Sequence, residues 1–367
     1  MAERLPRYRT KDPALDQKLV ELLDEVGATA NRDQLFEILA TGVRLAADDA
    51  QRLDLKITNA AVKELRYAFK VFAPYRHIPK VTIFGSARTL PDDPLYAQTR
   101  LLASQMAAQG WMVVTGAGPG IMAAGLEGAG RAMSFGINIK LPFESGANRF
   151  IAADPKLIEM KYFFTRKLAL MKESSAFVVM PGGFGTLDEL LELLTLVQTG
   201  KADPAPIVGL EVPGGGYWKA WQHFLASEVA PRGLISSEDP TLMHITDDVD
   251  DAVGEILGFY RNYHSIRYVG DVLVIRLRSQ PTEAELTRLS DDFADICVEG
   301  GIDATDPLPV EISDDDHVDL PRLVLQFDRM HQARLRQLID ALNRLPSAPR
   351  ETSTPPEGTT ESAAGLA

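Results

Sequence analysis

The chain has 367 residues, a net charge of −13 and 45% hydrophobic residues, which is ordinary for a globular protein of about two to three domains. Its longest apolar runs hold about five residues, such as Ala176–Met180, far short of the roughly 18 needed to span a bilayer. The start of the chain lacks the apolar segment of a signal peptide, and a single cysteine, Cys297, excludes a disulfide framework and a cysteine-based metal cluster. We therefore expect a cytoplasmic protein without membrane contact.

The first 75 residues read as a helical region, because apolar residues recur at helical spacing around Leu19, Leu35 and Val62. No residue there suggests chemistry. Packing against the next domain or against a partner subunit is the expected role.

Residues 76–264 alternate short apolar strands with amphipathic helices. The predicted strands are Val81–Phe84, Met112–Thr115, Gly136–Leu141, Ala176–Met180 and Pro206–Leu210, and the clearest helices are Tyr96–Gln109 and Leu187–Val197. This alternation is typical of a parallel sheet covered by helices on both faces. The fold class is therefore α/β, with a Rossmann-like, doubly wound parallel sheet.

Residues 265–345 read as a smaller α/β module. Its predicted elements are the strand Asp271–Leu277, the helix Thr282–Val298, the strand Leu323–Phe327 and the helix Met330–Leu345. From Pro346 to the last residue, 367, the composition predicts a disordered tail.

The acidic charge is concentrated in this module. Between Pro281 and Leu320 there are thirteen Asp or Glu residues and one basic residue, Arg288, so that segment carries −12 and the rest of the chain −1. With no basic stripe, we expect no nucleic-acid partner. The run Asp314–Asp316 could bind a divalent cation, but a solvated loop is the favoured interpretation, so no metal site is predicted.

Three predicted strand ends run into glycine-rich turns at one edge of the sheet, where open α/β sheets bind ligands. Glycines let a ligand approach the backbone, and the following helix N-termini offer free N–H groups, so together the turns predict a phosphate-binding cradle. The candidate binding residues are Gly85, Ser86 and Arg88 in the first turn, Thr115, Gly116, Gly118 and Gly120 in the second, and Gly182, Gly183, Gly185 and Thr186 in the third.

A dinucleotide is the alternative ligand for such turns. Its fingerprint is G-x-G-x-x-G followed about 20 residues later by an acid that holds the ribose. Here the second turn reads G-x-G-x-G before Ile121, and the next strand ends in Asn138-Ile139-Lys140-Leu141 without an acid. A mononucleotide site is therefore favoured.

Two charged groups near the cradle each allow two interpretations. Thr186 and Glu189 could form a capping box at the start of a helix. Alternatively, Glu189 lies in the first helical turn, where the helix dipole would keep it ionised beside the ligand. Arg166 and Lys167 could be a solvated helix face, or Arg166 could pair with both Glu189 and phosphate. The neighbouring aromatic residues Tyr162–Phe164 are expected to lie mostly in the core.

The combination of P-G-G-F-G-T-L-D-E, an upstream T-R-K, the turn T-G-A-G-P-G-I-M and the opening F-G-S-A-R resembles the LOG (Lonely Guy) family, which is often mislabelled as lysine decarboxylase. The likeness covers roughly residues 75 to 262, and the sequence around the motifs is similar to that of the larger bacterial members of the family. None of the six histidines is followed by lysine, the pair that commonly carries pyridoxal phosphate in decarboxylases, so that label is rejected.

The resemblance implies a phosphoribohydrolase, which cleaves a nucleoside 5′-monophosphate into base and ribose 5-phosphate without a cofactor. It implies Arg166 and Glu189 as the catalytic pair, with phosphate and ribose contacts at Gly182–Thr186 and Gly116–Gly120. Lys167 is a further candidate phosphate-binding residue. It also suggests a homo-oligomer, at least a dimer, with the helices after the third turn packing across it. The histidine and glutamate that precede the arginine in short members are absent here, which leaves base recognition open. A non-catalytic nucleotide carrier or sensor is the alternative function.

Overall fold

The computed structural model describes residues 6–140 and 146–350, and the chain divides into two compact units between Glu64 and Leu65. The first unit contains α1 (Pro13–Glu25), α2 (Arg32–Ala47) and the larger part of α3 (Arg52–Phe72). Asp12 starts α1 by accepting hydrogen bonds from the main-chain N–H groups of Ala14 and Leu15, and Leu23 packs with Phe36 and Ala40 between α1 and α2.

The second unit contains a seven-stranded sheet in the order β4-β3-β2-β1-β5-β6-β7, in which every neighbouring pair is parallel. The strands are β1 (Lys80–Phe84), β2 (Met112–Thr115), β3 (Ser134–Ile139), β4 (Leu157–Met160), β5 (Ala176–Val179), β6 (Ile207–Leu210) and β7 (His244–Thr246). The chain starts in the middle of the sheet, builds one half outward, and returns to build the other half. This is the doubly wound order, so the predicted Rossmann-like α/β fold is confirmed.

Six helices connect and cover these strands. They are α4 (Pro94–Ala108), α5 (Ile121–Ala129), α6 (Phe163–Lys172), α7 (Phe184–Gln198), α8 (Tyr217–Phe224) and α9 (Val249–Phe259). Successive strand residues enter different core clusters: Ile83 lies in one and Phe84 in the other. Burial on both faces explains why the central strands read as continuous apolar runs.

The two edge strands were missed by the sequence prediction. In β4 Glu159 is exposed, and all three residues of β7 are only partly buried. An edge strand is covered incompletely, so its residues need not be apolar and the run is too short and polar to recognise.

The C-terminal part of the second unit has a four-stranded antiparallel sheet in the order β10-β11-β9-β8. Its elements are β8 (Tyr263–Val269), β9 (Val272–Leu277), α10 (Glu283–Asp292), β10 (Asp303–Thr305), α11 (Pro309–Asp314), β11 (Arg322–Leu325) and α12 (Gln332–Asn343). The sequence prediction missed β8, β10 and α11, and its proposed boundary at residue 264 falls inside β8. The predicted helix 282–298 ends as α10 at Asp292, before a short 3-10 turn at Ala294–Ile296.

The aspartate run is only partly the solvated loop that the sequence predicted, because Asp314 and Asp315 are exposed while Asp316 is buried. Asp314 and Asp316 accept hydrogen bonds from Arg267, each at 2.5 Å, and Asp316 also pairs with Arg276. These arginines come from β8 and β9, so the acidic segment is held to the sheet by charge pairing.

A buried carboxylate, Glu311 of α11, is held by two arginines in the same region. It lies 2.8 Å from Arg276 on one side and 2.8 Å from Arg322 on the other, and neither Glu311 nor Arg322 is exposed to solvent. Hydrogen bonds and these two arginines hold the pKa of Glu311 below its usual value although burial opposes this.

The first residues of the predicted disordered tail are ordered. The Ser347 N–H donates to Glu285 at 3.1 Å, and Ala348 packs against the core. The rest of the predicted tail, residues 351–367, lies outside the described residues, as does Leu141 at the end of the third predicted strand. In the described part of the chain, no helix is both long and apolar enough to cross a membrane.

Candidate active site

The sheet order brings the three glycine turns to one place. After β1 the chain moves outward to β2, β3 and β4, and it then returns to β5 on the other side of β1. The carboxyl ends of β1, β2 and β5 therefore surround the point where the winding reverses, and each is followed by one of the turns. A crevice at such a point is the usual ligand site of a doubly wound sheet.

The first and second turns touch each other. The Ile121 N–H donates to the Ser86 carbonyl at 3.0 Å, and Gly120, at φ +66°, lies so close that a Cβ there would overlap this carbonyl. Gly85 packs against the Ile121 side chain. These glycines are explained by close packing, which fixes how the two turns face the crevice.

The second turn is held from behind by a residue that sequence reasoning missed. The Asn148 side-chain amide donates to the carbonyls of Ala117 at 3.0 Å and Gly118 at 2.8 Å. Ala117 has φ +59°, a conformation that non-glycine residues adopt only under constraint. Thr115 accepts a hydrogen bond from the Ala117 N–H at 3.1 Å, so its hydroxyl shapes the turn.

Arg166, on α6, crosses to the second turn and is largely buried. Its Nε donates to the Ile137 carbonyl in β3 at 2.8 Å, and a Cβ at Gly116 would overlap its Nη2. The guanidinium therefore occupies the space that the missing Gly116 side chain leaves. The interpretation of Arg166 as a solvated helix face is wrong.

Arg166 also pairs with Glu189, as the sequence predicted. Arg166 Nη1 lies 3.2 Å from Glu189 Oε1, and the two side chains are 10% and 13% exposed. Burial raises the pKa of Glu189 to about 7, while Arg166 opposes this and Asp188 adds to it. Burial thus opposes the ionisation that the sequence prediction expected from the helix dipole.

The capping-box interpretation of Thr186 and Glu189 is also wrong. Helix α7 begins at Phe184 with Gly183 as its N-cap, and no side chain caps it. Thr186 is consequently the third helical residue, and its buried side chain packs against Gly182. Glu189 lies in the second turn of α7, where it reaches Arg166 and not the first main-chain N–H groups.

The third turn divides into a packed half and an open half. A Cβ at Gly182 would overlap the Thr186 hydroxyl, whereas a Cβ at Gly183 or Gly185 would meet nothing within 4 Å. The two open glycines lie at the uncapped N-terminus of α7, where N–H groups and the helix dipole favour an anion. Gly183 and Gly185 are the candidate cradle residues best placed to face a ligand.

Helix α8 contacts the third turn through a hydrogen bond. The Tyr217 hydroxyl donates to the Gly182 carbonyl at 2.8 Å. The Glu211 carboxylate, which follows β6, accepts from the main-chain N–H groups of Tyr217 at 2.9 Å and Trp218 at 3.3 Å. Both Tyr217 and Glu211 were missed, because these contacts depend on the tertiary fold and leave no local signal.

Lys167 faces carboxylates. Its Nζ is 3.1 Å from Asp188 and also pairs with Glu192, both on α7. Burial lowers the pKa of Lys167, but the hydrogen bonds to these two carboxylates leave it above its ordinary value. Lys167 thus remains charged and links α6 to α7 beside the Arg166–Glu189 pair.

Several aromatic side chains around the site are exposed. Phe163 and Phe164 are each 54% exposed, so their assignment to the core is wrong, and Phe184 in the third turn is 94% exposed. Arg88 is exposed as well, and its main-chain N–H donates to the Ser86 hydroxyl at 3.1 Å. Within residues 6–140 and 146–350, no three His, Cys, Asp or Glu side chains are grouped to hold a metal ion.

Comparison with known proteins identifies the family. A family model described as "Possible lysine decarboxylase" matches residues 106–256. A cytokinin riboside 5′-monophosphate phosphoribohydrolase of Mycobacterium marinum is 31% identical over 157 residues, covering 41% of this chain and 80% of that protein. The chain belongs to the LOG family.

Two other matches of this LOG-family chain are either shorter or more distant. A cytokinin riboside 5′-monophosphate phosphoribohydrolase of Arabidopsis thaliana is 41% identical over 81 residues, which are 22% of this chain and only 34% of that protein. Among solved structures, a molybdenum cofactor carrier protein from Chlamydomonas reinhardtii has 21% identity and a TM-score of 0.34, covering 48% of this chain and 94% of that chain. Such a distant likeness bears on neither ligand nor activity.

Proposed function

We propose that this chain is a phosphoribohydrolase. It hydrolyses the N-glycosidic bond of a nucleoside 5′-monophosphate and releases ribose 5-phosphate and a base, adenine or an N6-modified adenine. One observation carries the proposal: a largely buried carboxylate, Glu189, lies 3.2 Å from a largely buried guanidinium, Arg166, at the crevice that three glycine turns surround. The names of its relatives support the same reaction.

The proposed reaction needs positive charge on the sugar to be stabilised. As the bond from C1′ to the base breaks, its electron pair goes to the base nitrogen and the ribose becomes oxocarbenium-like. Water then bonds to C1′ and loses a proton, and the base gains one. Ionised Glu189 stabilises the sugar cation or takes the proton from water, and a pKa of about 7 suits either role near neutral pH.

Arg166 and the glycine turns position the substrate in this proposal. The guanidinium holds Glu189 and adds positive charge beside the phosphate, while the open glycines at the start of α7 present N–H groups to it. Binding energy from the phosphate then orients the scissile bond. No metal or cofactor takes part in the proposed step.

The test is incubation with a panel of nucleoside 5′-monophosphates and the matching nucleosides, followed by chromatography of released base. We expect the monophosphates to be cleaved much faster. Equal turnover of AMP and adenosine would contradict the phosphate cradle. Tight binding of AMP without cleavage of any nucleotide would instead favour a carrier or sensor.

A further inference from the structure

Tyr217 lies outside the glycine turns, yet it contacts the main chain of the third one. Its hydroxyl donates to the Gly182 carbonyl at 2.8 Å, across 35 residues of sequence. The ring itself is fixed, because it meets Trp218 edge-on with centroids 4.8 Å apart and Trp218 is fully buried. A rigid donor therefore holds one peptide of the proposed phosphate cradle.

Holding that carbonyl also sets the direction of the next N–H group. In a trans peptide the carbonyl and the N–H point in opposite directions, so the Gly183 N–H points away from Tyr217. Gly183 is exposed, with open space where a side chain would be. Without the hydroxyl, the peptide between Gly182 and Gly183 could rotate and turn its carbonyl toward the ligand.

The position of Tyr217 is itself determined by β6. Glu211 follows β6 and accepts hydrogen bonds from the Tyr217 and Trp218 N–H groups, which anchors the start of α8. A Cβ at Gly215 would overlap the Glu211 carboxylate, so the loop between them closes tightly around it. The end of β6 is thus connected to the phosphate cradle through one tyrosine.

We propose that Tyr217 is a positioning residue that orients the Gly183 N–H toward the substrate's 5′-phosphate and so sets the preference for phosphorylated over unphosphorylated nucleosides. The inference rests on the proposed function of the same site. Tyr217 acts on the ligand through the peptide it holds and does not itself react.

The matched test pair is Tyr217→Phe and Tyr260→Phe. Each removes a tyrosine hydroxyl that donates to a main-chain carbonyl, since Tyr260 donates to Ser175 at 2.7 Å at the amino end of β5, away from the crevice. Binding of ribose 5-phosphate is measured by calorimetry, and melting temperature is measured alongside. We expect Tyr217→Phe to weaken binding about tenfold, as for one lost hydrogen bond to a charged group, and Tyr260→Phe to leave it unchanged.

Kinetics provide the second readout. In Tyr217→Phe, KM for AMP should rise about tenfold with kcat nearly unchanged, and kcat/KM for adenosine should not fall, so that phosphate selectivity drops. A general structural defect would lower kcat/KM for AMP and for adenosine by the same factor. Equal phosphate affinity in wild type and Tyr217→Phe, or no binding of ribose 5-phosphate by the wild type, would overturn the inference. If the wild type binds ribose 5-phosphate but cleaves no nucleotide, the proposed function fails. The role of Tyr217 is then still decided by comparing the affinities of wild type and Tyr217→Phe for ribose 5-phosphate.

Discussion

Substitution of Glu189 distinguishes a catalytic role of its carboxylate from a purely structural ion pair with Arg166. Glu189→Gln keeps the shape and the contact with Arg166 but removes the negative charge. We expect turnover of AMP to fall by on the order of a hundredfold or more, while the fold and the binding of ribose 5-phosphate survive. Glu228→Gln, at an exposed surface ion pair with Arg232, is the matched control and should retain full activity. Hydrolysis at the wild-type rate by Glu189→Gln would retire the catalytic assignment.

The raised pKa of Glu189 predicts the pH dependence of the reaction. Because the ionised form is the active one, kcat/KM should rise with pH and reach half its maximum near pH 7, in place of the ordinary carboxyl value of 4.5. Since the folded protein holds this proton more tightly than the unfolded chain, Glu189 reduces stability as pH rises from about 4.5 to about 7. A kcat/KM profile measured from pH 5 to 8 that is flat, or that falls, would contradict the proposed role.

Substitution of Gly116 tests whether activity requires the observed position of the Arg166 guanidinium. A Cβ at this position would overlap Arg166 Nη2, so Gly116→Ala should displace Arg166 from Glu189 and cripple turnover with only a modest loss of stability. Gly254→Ala, inside α9 with nothing within 4 Å of the new Cβ, should be active and slightly more stable. Activity assays with thermal melts compare the two, and an active Gly116→Ala enzyme would show that the pair is dispensable.

At the scale of elements, α12 belongs to the same folded unit as the parallel sheet. Asn343, near its end, accepts from the N–H groups of Asn262 at 2.8 Å and Tyr263 at 2.9 Å and donates to the Phe259 carbonyl at 2.6 Å. Its buried amide therefore joins α12 to the end of α9 and the start of β8.

Asn343→Ala leaves these three main-chain groups without their partner. Each unpaired buried group costs about 1–3 kcal/mol, so we expect unfolding to become easier by about 3 kcal/mol or more. Urea denaturation measures this, with Asn59→Ala on an exposed part of α3 as the neutral control. A change below about 1 kcal/mol in Asn343→Ala would mean that α12 is an appendage and not part of the core.

Elements differed in how well the sequence predicted them. The buried strands and the three glycine turns were located because burial on both faces and tight turns impose a local composition. The start of α7 was misplaced, since Thr186 and Glu189 have the spacing of a capping box while Gly183 occupies the N-cap without any side-chain signal. Tyr217 and Asn148 act across 35 and 31 residues, and such contacts exist only once the chain has folded.

At the scale of the whole molecule, we expect a homo-oligomer of at least two copies. Phe163, Phe164, Phe184 and Leu191, on α6 and α7, are exposed, and a subunit interface that covered them would remove large apolar groups from water. Light scattering after size exclusion should give a mass of at least twice 40.2 kDa. Leu191→Glu on α7 should reduce that mass, and a wild-type monomer across the micromolar range would disprove the expectation.

Glu311 has a consequence for how chains of this kind can diverge. Its carboxylate contacts two guanidinium groups, Arg276 and Arg322, and Asp316 supplies a second carboxylate to Arg276; all four side chains are buried. Losing Glu311 alone would leave the buried Arg322 guanidinium without the carboxylate that it contacts, at a cost of about 3–5 kcal/mol, whereas replacing the whole network with apolar residues of similar volume could be neutral. We therefore expect these positions to change as a set, because a chain that lacks one member should be less stable than one that keeps or replaces the whole network.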